Sequence, residues 1–144
     1  MKKSFMAIVF SSFLILFMTG CEKTYLSCSK VVSETDDIKI NETIKLGYKR
    51  KKLVNSNIYH DYKMKNDNID IRTFKTALES ECEEYKGEKG VTCIVKDIDG
   101  GLHFELSLDV EKLSDDSKVI FEEMISYKSY MDSKQTLSKE YTCK

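Results

Sequence analysis

From Leu102 to Val110 every second residue is apolar: Leu102, Phe104, Leu106, Leu108 and Val110 alternate with His103, Glu105, Ser107 and Asp109. A period of two sends the apolar set to one face of a β-strand and the polar set to the other. Such a strand needs a sheet that is covered on one side and wet on the other, which antiparallel sheets provide. The pattern recurs in Ile38, Ile40, Ile44, Leu46 and Tyr48. After Lys49-Arg50-Lys51-Lys52 it returns in Val54, Ile58, Tyr62 and Met64, with Ser56 and His60 on the same parity. These two runs predict a long antiparallel hairpin with a basic tip.

Thr24–Lys30 predicts an earlier strand and Val91–Val95 a later one, while Glu34–Asp37 and the Asp-Gly signal within Asp97–Gly101 predict turns. Between Asp70 and Lys86 the period changes. Ile71, Phe74, Leu78, Cys82 and Tyr85 recur at steps of three and four, the stripe of an amphipathic helix, with Glu79, Glu81, Glu83 and Glu84 toward water. Asp115-Asp116-Ser117 is placed to cap a short helix over Val119–Ile125. Ser129-x-x-Asp132 resembles a capping box, followed by Tyr130, Lys134, Leu137 and Tyr141 on one helical face. The order β-β-β-α-β-β-α-α predicts an α+β fold: a mainly antiparallel sheet of about five strands with helices packed on one face.

The start of the chain predicts an address. Lys2 and Lys3 precede the apolar run Phe5–Met18, and Thr19 and Gly20 then lead to Cys21. That is secretory-signal anatomy, and its end matches the lipobox of bacterial lipoproteins, with Met18 where Leu is usual. The match implies cleavage after Gly20 and a diacylglycerol thioether on Cys21, so residues 1–20 read as a signal peptide and 21–144 as a single domain. An uncleaved anchor is disfavoured, because a spanning helix needs ~20 apolar residues. Glu22-Lys23 is almost no linker, which places the domain close against the bilayer. With Lys2 and Lys3 subtracted from the 23 basic residues, the mature part has 21 against 24 acidic, net −3. That balance argues against a nucleic-acid partner.

Besides Cys21 there are Cys28, Cys82, Cys93 and Cys143. An even number in an exported chain predicts disulfides, and four cysteines allow three pairings. Cys82 lies on the inward helix stripe. Cys93 has the parity of Val91 and Val95 in the strand that follows, with Gly87 and Gly90 turning the chain between them. The predicted pairs are Cys82–Cys93 and, for the remaining two, Cys28–Cys143. There is no C-x-x-C, and no short cysteine spacing of the kind zinc sites use.

The lipobox, Leu26-Ser27-Cys28-Ser29, the long hairpin, the helix before Gly90-Val91-Thr92, and Tyr141-Thr142-Cys143-Lys144 together resemble the small YehR-like bacterial lipoproteins. The resemblance covers essentially the whole mature domain and is most specific at its two ends. It implies an α+β fold and membrane anchoring, and supplies no catalytic residues.

The remaining candidates are weak. Lys49, Arg50, Lys51 and Lys52 read as a contact for anionic headgroups or wall polymers, or as a solvated turn that discourages edge pairing; the turn is the favoured reading. His103 has the water-facing parity, and His60 the inward one. Neither has ligand spacing around it, so no metal is expected. The Asp97–Gly101 turn lacks the closing ligands of a calcium loop. No G-x-S-x-G, H-E-x-x-H or phosphate loop occurs, and no cofactor is implied. The expected protein is a non-enzymatic, lipid-anchored module that binds an envelope protein or component. Two other readings stand beside it: an envelope enzyme or thiol-redox protein using a cysteine, and an accessory subunit of a transport or immunity-type system.

Overall fold

A computed structural model describes residues 22–144. The predicted signal segment and Cys21 lie outside the described residues. The chain forms β1 (Thr24–Glu34), β2 (Ile38–Lys49), β3 (Lys52–Met64), α1 (Ile71–Glu84), β4 (Val91–Ile98), β5 (Gly101–Asp109), α2 (Asp115–Ile120), α3 (Glu122–Ile125), α4 (Tyr130–Leu137) and β6 (Thr142–Cys143). One antiparallel sheet in the order β4-β5-β3-β2-β1-β6 carries the fold, which is α+β.

The β2–β3 hairpin is the centre of the sheet, with Ile44 opposite Ile58 and Ile40 opposite Tyr62. Its two-residue turn holds Arg50 at φ +50° and Lys51 at φ +66°. Both are in the left-handed region, where an L-residue with a Cβ costs about 1–2 kcal/mol and where hairpin turns usually place Asn-Gly. A bulge at Val54 adjusts the strands beside the tip. At the far end β5 starts on Gly101, where a Cβ would stand 1.8 Å from the Tyr62 carbonyl oxygen. No residue with a side chain can pair with Lys63 there.

The apolar parity set of every long strand faces the helices. Leu102, Phe104, Leu106 and Leu108 pack with Leu78, Leu113 and Phe121 beneath α1 and α2. Leu26, Cys28, Ile44, Leu46 and Tyr48 form a second cluster beneath α4, closed by Leu137. Asp70 caps α1 by accepting from the Arg72 amide at 3.0 Å.

Several details depart from the expectation. The sheet has six strands, because the C-terminus adds β6. β1 continues through a bulge to Glu34 instead of ending at Lys30, and β4 continues to Ile98. The expected helix over Val119–Ile125 is two short helices that meet at Phe121, and its cap is Ser114. Phe121 is the buried anchor of that segment, while Val119 stays 75 % exposed. In α4 the Ser129 cap is present, but Ser133 and Leu137 face inward and Lys134 faces water. On this inward stripe Leu137 joins the apolar cluster and the Ser133 hydroxyl shares a 2.6 Å hydrogen bond with the Tyr48 hydroxyl.

Candidate functional site

The sequence sorted side chains by parity, and the sheet then sets each parity set side by side. On the helix-covered face, Lys30, Glu42, His60 and Phe104 stand in one row across β1, β2, β3 and β5. This row runs between the two apolar clusters, where neither α1 nor α4 covers it completely. Glu42 accepts from the Nε2 of His60 at 2.8 Å and from the Tyr141 hydroxyl. A carboxylate only accepts, so the proton sits on Nε2. The Tyr62 hydroxyl lies 3.4 Å from Nδ1 of His60. Lys30 lies over the Tyr141 ring, 4.1 Å from its centroid, and pairs with Glu140 at 3.3 Å. The His60 ring stacks on Phe104, with centroids 6.0 Å apart. Side-chain exposure is 25 % at His60 and 17 % at Glu42.

A buried carboxyl would ordinarily be pushed up. Here burial acts in that direction, but the hydrogen bonds from Tyr141 and His60 outweigh it and hold Glu42 below the usual carboxylate range. Burial pushes the Tyr141 phenol up, and its hydrogen bond to Glu42 adds to the shift. A carboxyl lowered by folding contributes stability above its unfolded value, near pH 4.5, and loses it as pH falls through the folded value. Glu42→Gln should therefore be less stable than the native protein at pH 6. The gap should close as pH falls below about 4.5. Urea unfolding of both proteins from pH 6 to pH 3 measures this, and a gap independent of pH would exclude the carboxylate's role. Glu34, Asp37 and Asp70 are also lowered, chiefly by hydrogen bonds from Lys65, Asn66 and Thr73. They are common to both proteins and cancel in the difference.

His103 departs from expectation in part. It points to the face opposite Phe104, as its parity required. It is nevertheless only 23 % exposed, because Nδ1 donates to Asp61 at 2.6 Å and the ring stacks on Tyr59 at 5.7 Å. The Tyr59 hydroxyl accepts from the Asn57 amide at 2.9 Å. This second polar cluster lies on the face that no helix covers. The two histidines, His60 and His103, thus each hold a carboxylate on opposite sides of one sheet. Glu42 reaches His60 from β2 and Asp61 reaches His103 from β3, so no linear spacing could have displayed them.

Among the described residues, no group of three or more His, Cys, Asp or Glu side chains is placed to hold a metal ion. Asp97 is engaged with Lys75 at 2.6 Å. Cys28 is bonded to Cys143 and Cys82 to Cys93. The first bridge joins facing residues of β1 and β6, with Ser27 and Lys144 exchanging backbone hydrogen bonds beside it. The second ties α1 to β4. A thiol nucleophile from these residues would require a bridge to open. Lys49 is half-buried, while Arg50, Lys51 and Lys52 are exposed. No described helix is long and apolar enough to cross a membrane.

No family model and no curated protein matches this chain. One solved structure is similar in fold, an NMR structure of a protein from Streptococcus pneumoniae TIGR4. The match has a TM-score of 0.54 and 14 % sequence identity, and covers 84 % of this chain and 86 % of that one. At that identity the likeness establishes a shared α+β architecture.

Proposed function

We propose that this chain is a lipid-anchored binding module of the bacterial envelope, of the YehR-like kind, held by an acylated Cys21 and acting through its folded surface. The observation that supports it most is the division of the sheet. All the helices pack on one face, and the other presents Thr43, Asn57, Tyr59, Asp61, His103 and Glu105 in adjoining rows. Hydrogen bonds and stacking already order the centre of that face. Pre-ordered side chains lose less entropy on binding, which favours a protein or polymer partner on a broad, shallow surface. Catalysis finds less support: both ring nitrogens of His60 are engaged, and the four cysteines of the domain are paired.

Photo-cross-linking in intact cells tests the surface. A photoreactive residue at Asn57 should give a discrete adduct, and one at the helix-side Gln135 should not; the reverse pattern would sink the assignment of the binding face. The anchor has its own test. Cys21→Ala should abolish fatty-acid labelling and leave a misprocessed precursor, whereas equal labelling of the variant would remove the lipoprotein reading.

A further inference from the structure

The register of the sheet brings together two features that lie far apart in sequence. Thr24, the first residue of β1, faces Tyr48, the residue before Lys49. Paired strands lie about 4.8 Å apart. Three residues of chain can carry Cys21 no further than about 10 Å from Thr24. The chain therefore enters the sheet, three residues after Cys21, at the end that carries the Lys49–Lys52 tip. Lys23 is at the same end, its ammonium on the Asn55 side-chain oxygen at 3.2 Å. So is Tyr25, 48 % exposed, with the Lys45 ammonium over its ring at 5.0 Å. The opposite end of the same strands carries the acidic turn Glu34–Asp37 and the Asp99-Gly100 turn. The ends are separated by the twelve residues of β2, about 40 Å.

The turn itself points the same way. Arg50 and Lys51 occupy left-handed positions that Asn-Gly would fill without strain. The described ion pairs are made by other cations, so folding gains no ion pair from these four. The left-handed backbone is what a two-residue turn needs to close Lys49 on Lys52, but placing Arg and Lys there in place of Asn-Gly costs strain and gains no internal ion pair, which points to an external use of the charges. Resting on the anchor reading above, we infer that the Lys49–Lys52 tip is a docking site for the anionic headgroups of the bilayer that holds the lipid chain. It stands the sheet on its basic end, with the acidic turns and the uncovered face directed away from the membrane. A bilayer fits better than a wall polymer because an anchor on so short a tether lets the tip approach within a Debye length of the headgroups, about 8–10 Å. An interfacial tyrosine beside it suits the same boundary.

The test uses the purified, lipidated chain in vesicles of phosphatidylcholine alone or with phosphatidylglycerol. Amine acetylation of each lysine is followed by mass spectrometry, after intact mass has established the state of Cys21. With phosphatidylglycerol, Lys49, Lys51 and Lys52 should react about fivefold more slowly, the protection disappearing at 1 M salt. Lys63 and Lys96 at the other end should be unchanged. The double variant Arg50→Asn, Lys51→Gly should keep a urea midpoint at least equal to that of the native chain and lose most of the protection at Lys49 and Lys52. Equal tip reactivity on both vesicles, in a lipidated chain, overturns the tip's role and leaves the anchor standing. A chain without diacylglycerol on Cys21 overturns both. Protection by soluble teichoic acid on phosphatidylcholine vesicles, with none from phosphatidylglycerol, assigns the tip to the wall and refutes bilayer docking.

Discussion

Replacing Cys28 and Cys143 together by alanine is expected to remove about 4–5 kcal/mol of unfolding free energy, more than loss of the other bridge. The bridge spans a sequence separation of 115, so it closes nearly the whole folded chain. In the chain-entropy model a loop of that length restricts the unfolded ensemble far more than the separation of 11 between Cys82 and Cys93. The short bridge should contribute roughly 3 kcal/mol. For a domain of this size the long-bridge variant should melt on the order of 15–20 °C lower. The loss has a local part as well. β6 pairs with β1 only at Cys28–Cys143 and Ser29–Thr142, and Tyr141 reaches Glu42 from the residue just before it. Without the bridge the C-terminus should fray and the low-pH signature of Glu42 should weaken with it. Urea titrations of the two alanine pairs, under non-reducing conditions, measure the order. A costlier short bridge would show that loop closure does not govern the effect.

Phe104→Ala is the second large change, with an expected cost of about 3–5 kcal/mol. Phe104 is 4 % exposed and sits in the cluster formed with Leu78, Leu106 and Phe121, with Phe74 against it. Its ring also forms the floor beneath His60. Removing it therefore opens a cavity next to a hydrogen-bonded carboxylate and lets water reach both. A domain of this length typically has only about 5–15 kcal/mol in hand, so the variant should be close to its unfolding threshold at 37 °C. Val119→Ala provides the comparison. Val119 is an apolar helix residue in the same half of the molecule, yet it is mostly exposed, and its change should stay within about 0.5 kcal/mol. Similar midpoints for the two variants would mean that burial of Phe104 contributes little.

Local periodicity made much of this architecture readable. Alternation over Leu102–Val110 identified the inward face of β5, and the three-and-four spacing of Phe74, Leu78, Cys82 and Tyr85 identified the inward stripe of α1. Cys82 lies on that stripe and Cys93 on the parity of Val91 and Val95 in β4, with a short turn of chain between them, and the two are bonded as that pattern predicted. Patterns of that kind are short-range, and they fail where a residue's position depends on something distant. Ser133 faces inward, on the stripe of Leu137, and its hydroxyl meets that of the distant Tyr48. Ser133 is the small neutral neighbour of Lys134 and the easier of the two to bury, but only the fold brings the Tyr48 hydroxyl that pairs with it. Ser56 reads as a polar interruption of β3, yet it is 1 % exposed and donates to the Met124 carbonyl oxygen at 2.6 Å.

The sequence alone determined which residues could share a face, because side-chain direction along a strand or helix is a property of the local backbone. It also holds the pattern read as an export-and-lipid signal, the net charge and the four cysteines besides Cys21. Tertiary structure decided which faces meet and in what register. The Lys30–Glu42–His60 row, the Tyr141 hydroxyl on Glu42 and the nearness of Thr24 to the basic tip all depend on strand pairing across tens of residues. A register is a choice among whole-strand alignments, made by the summed burial of every inward side chain and by the turn that joins the strands. No single residue carries that information, and so the polar row and the shared end of Thr24 and the basic tip became visible only in the folded chain.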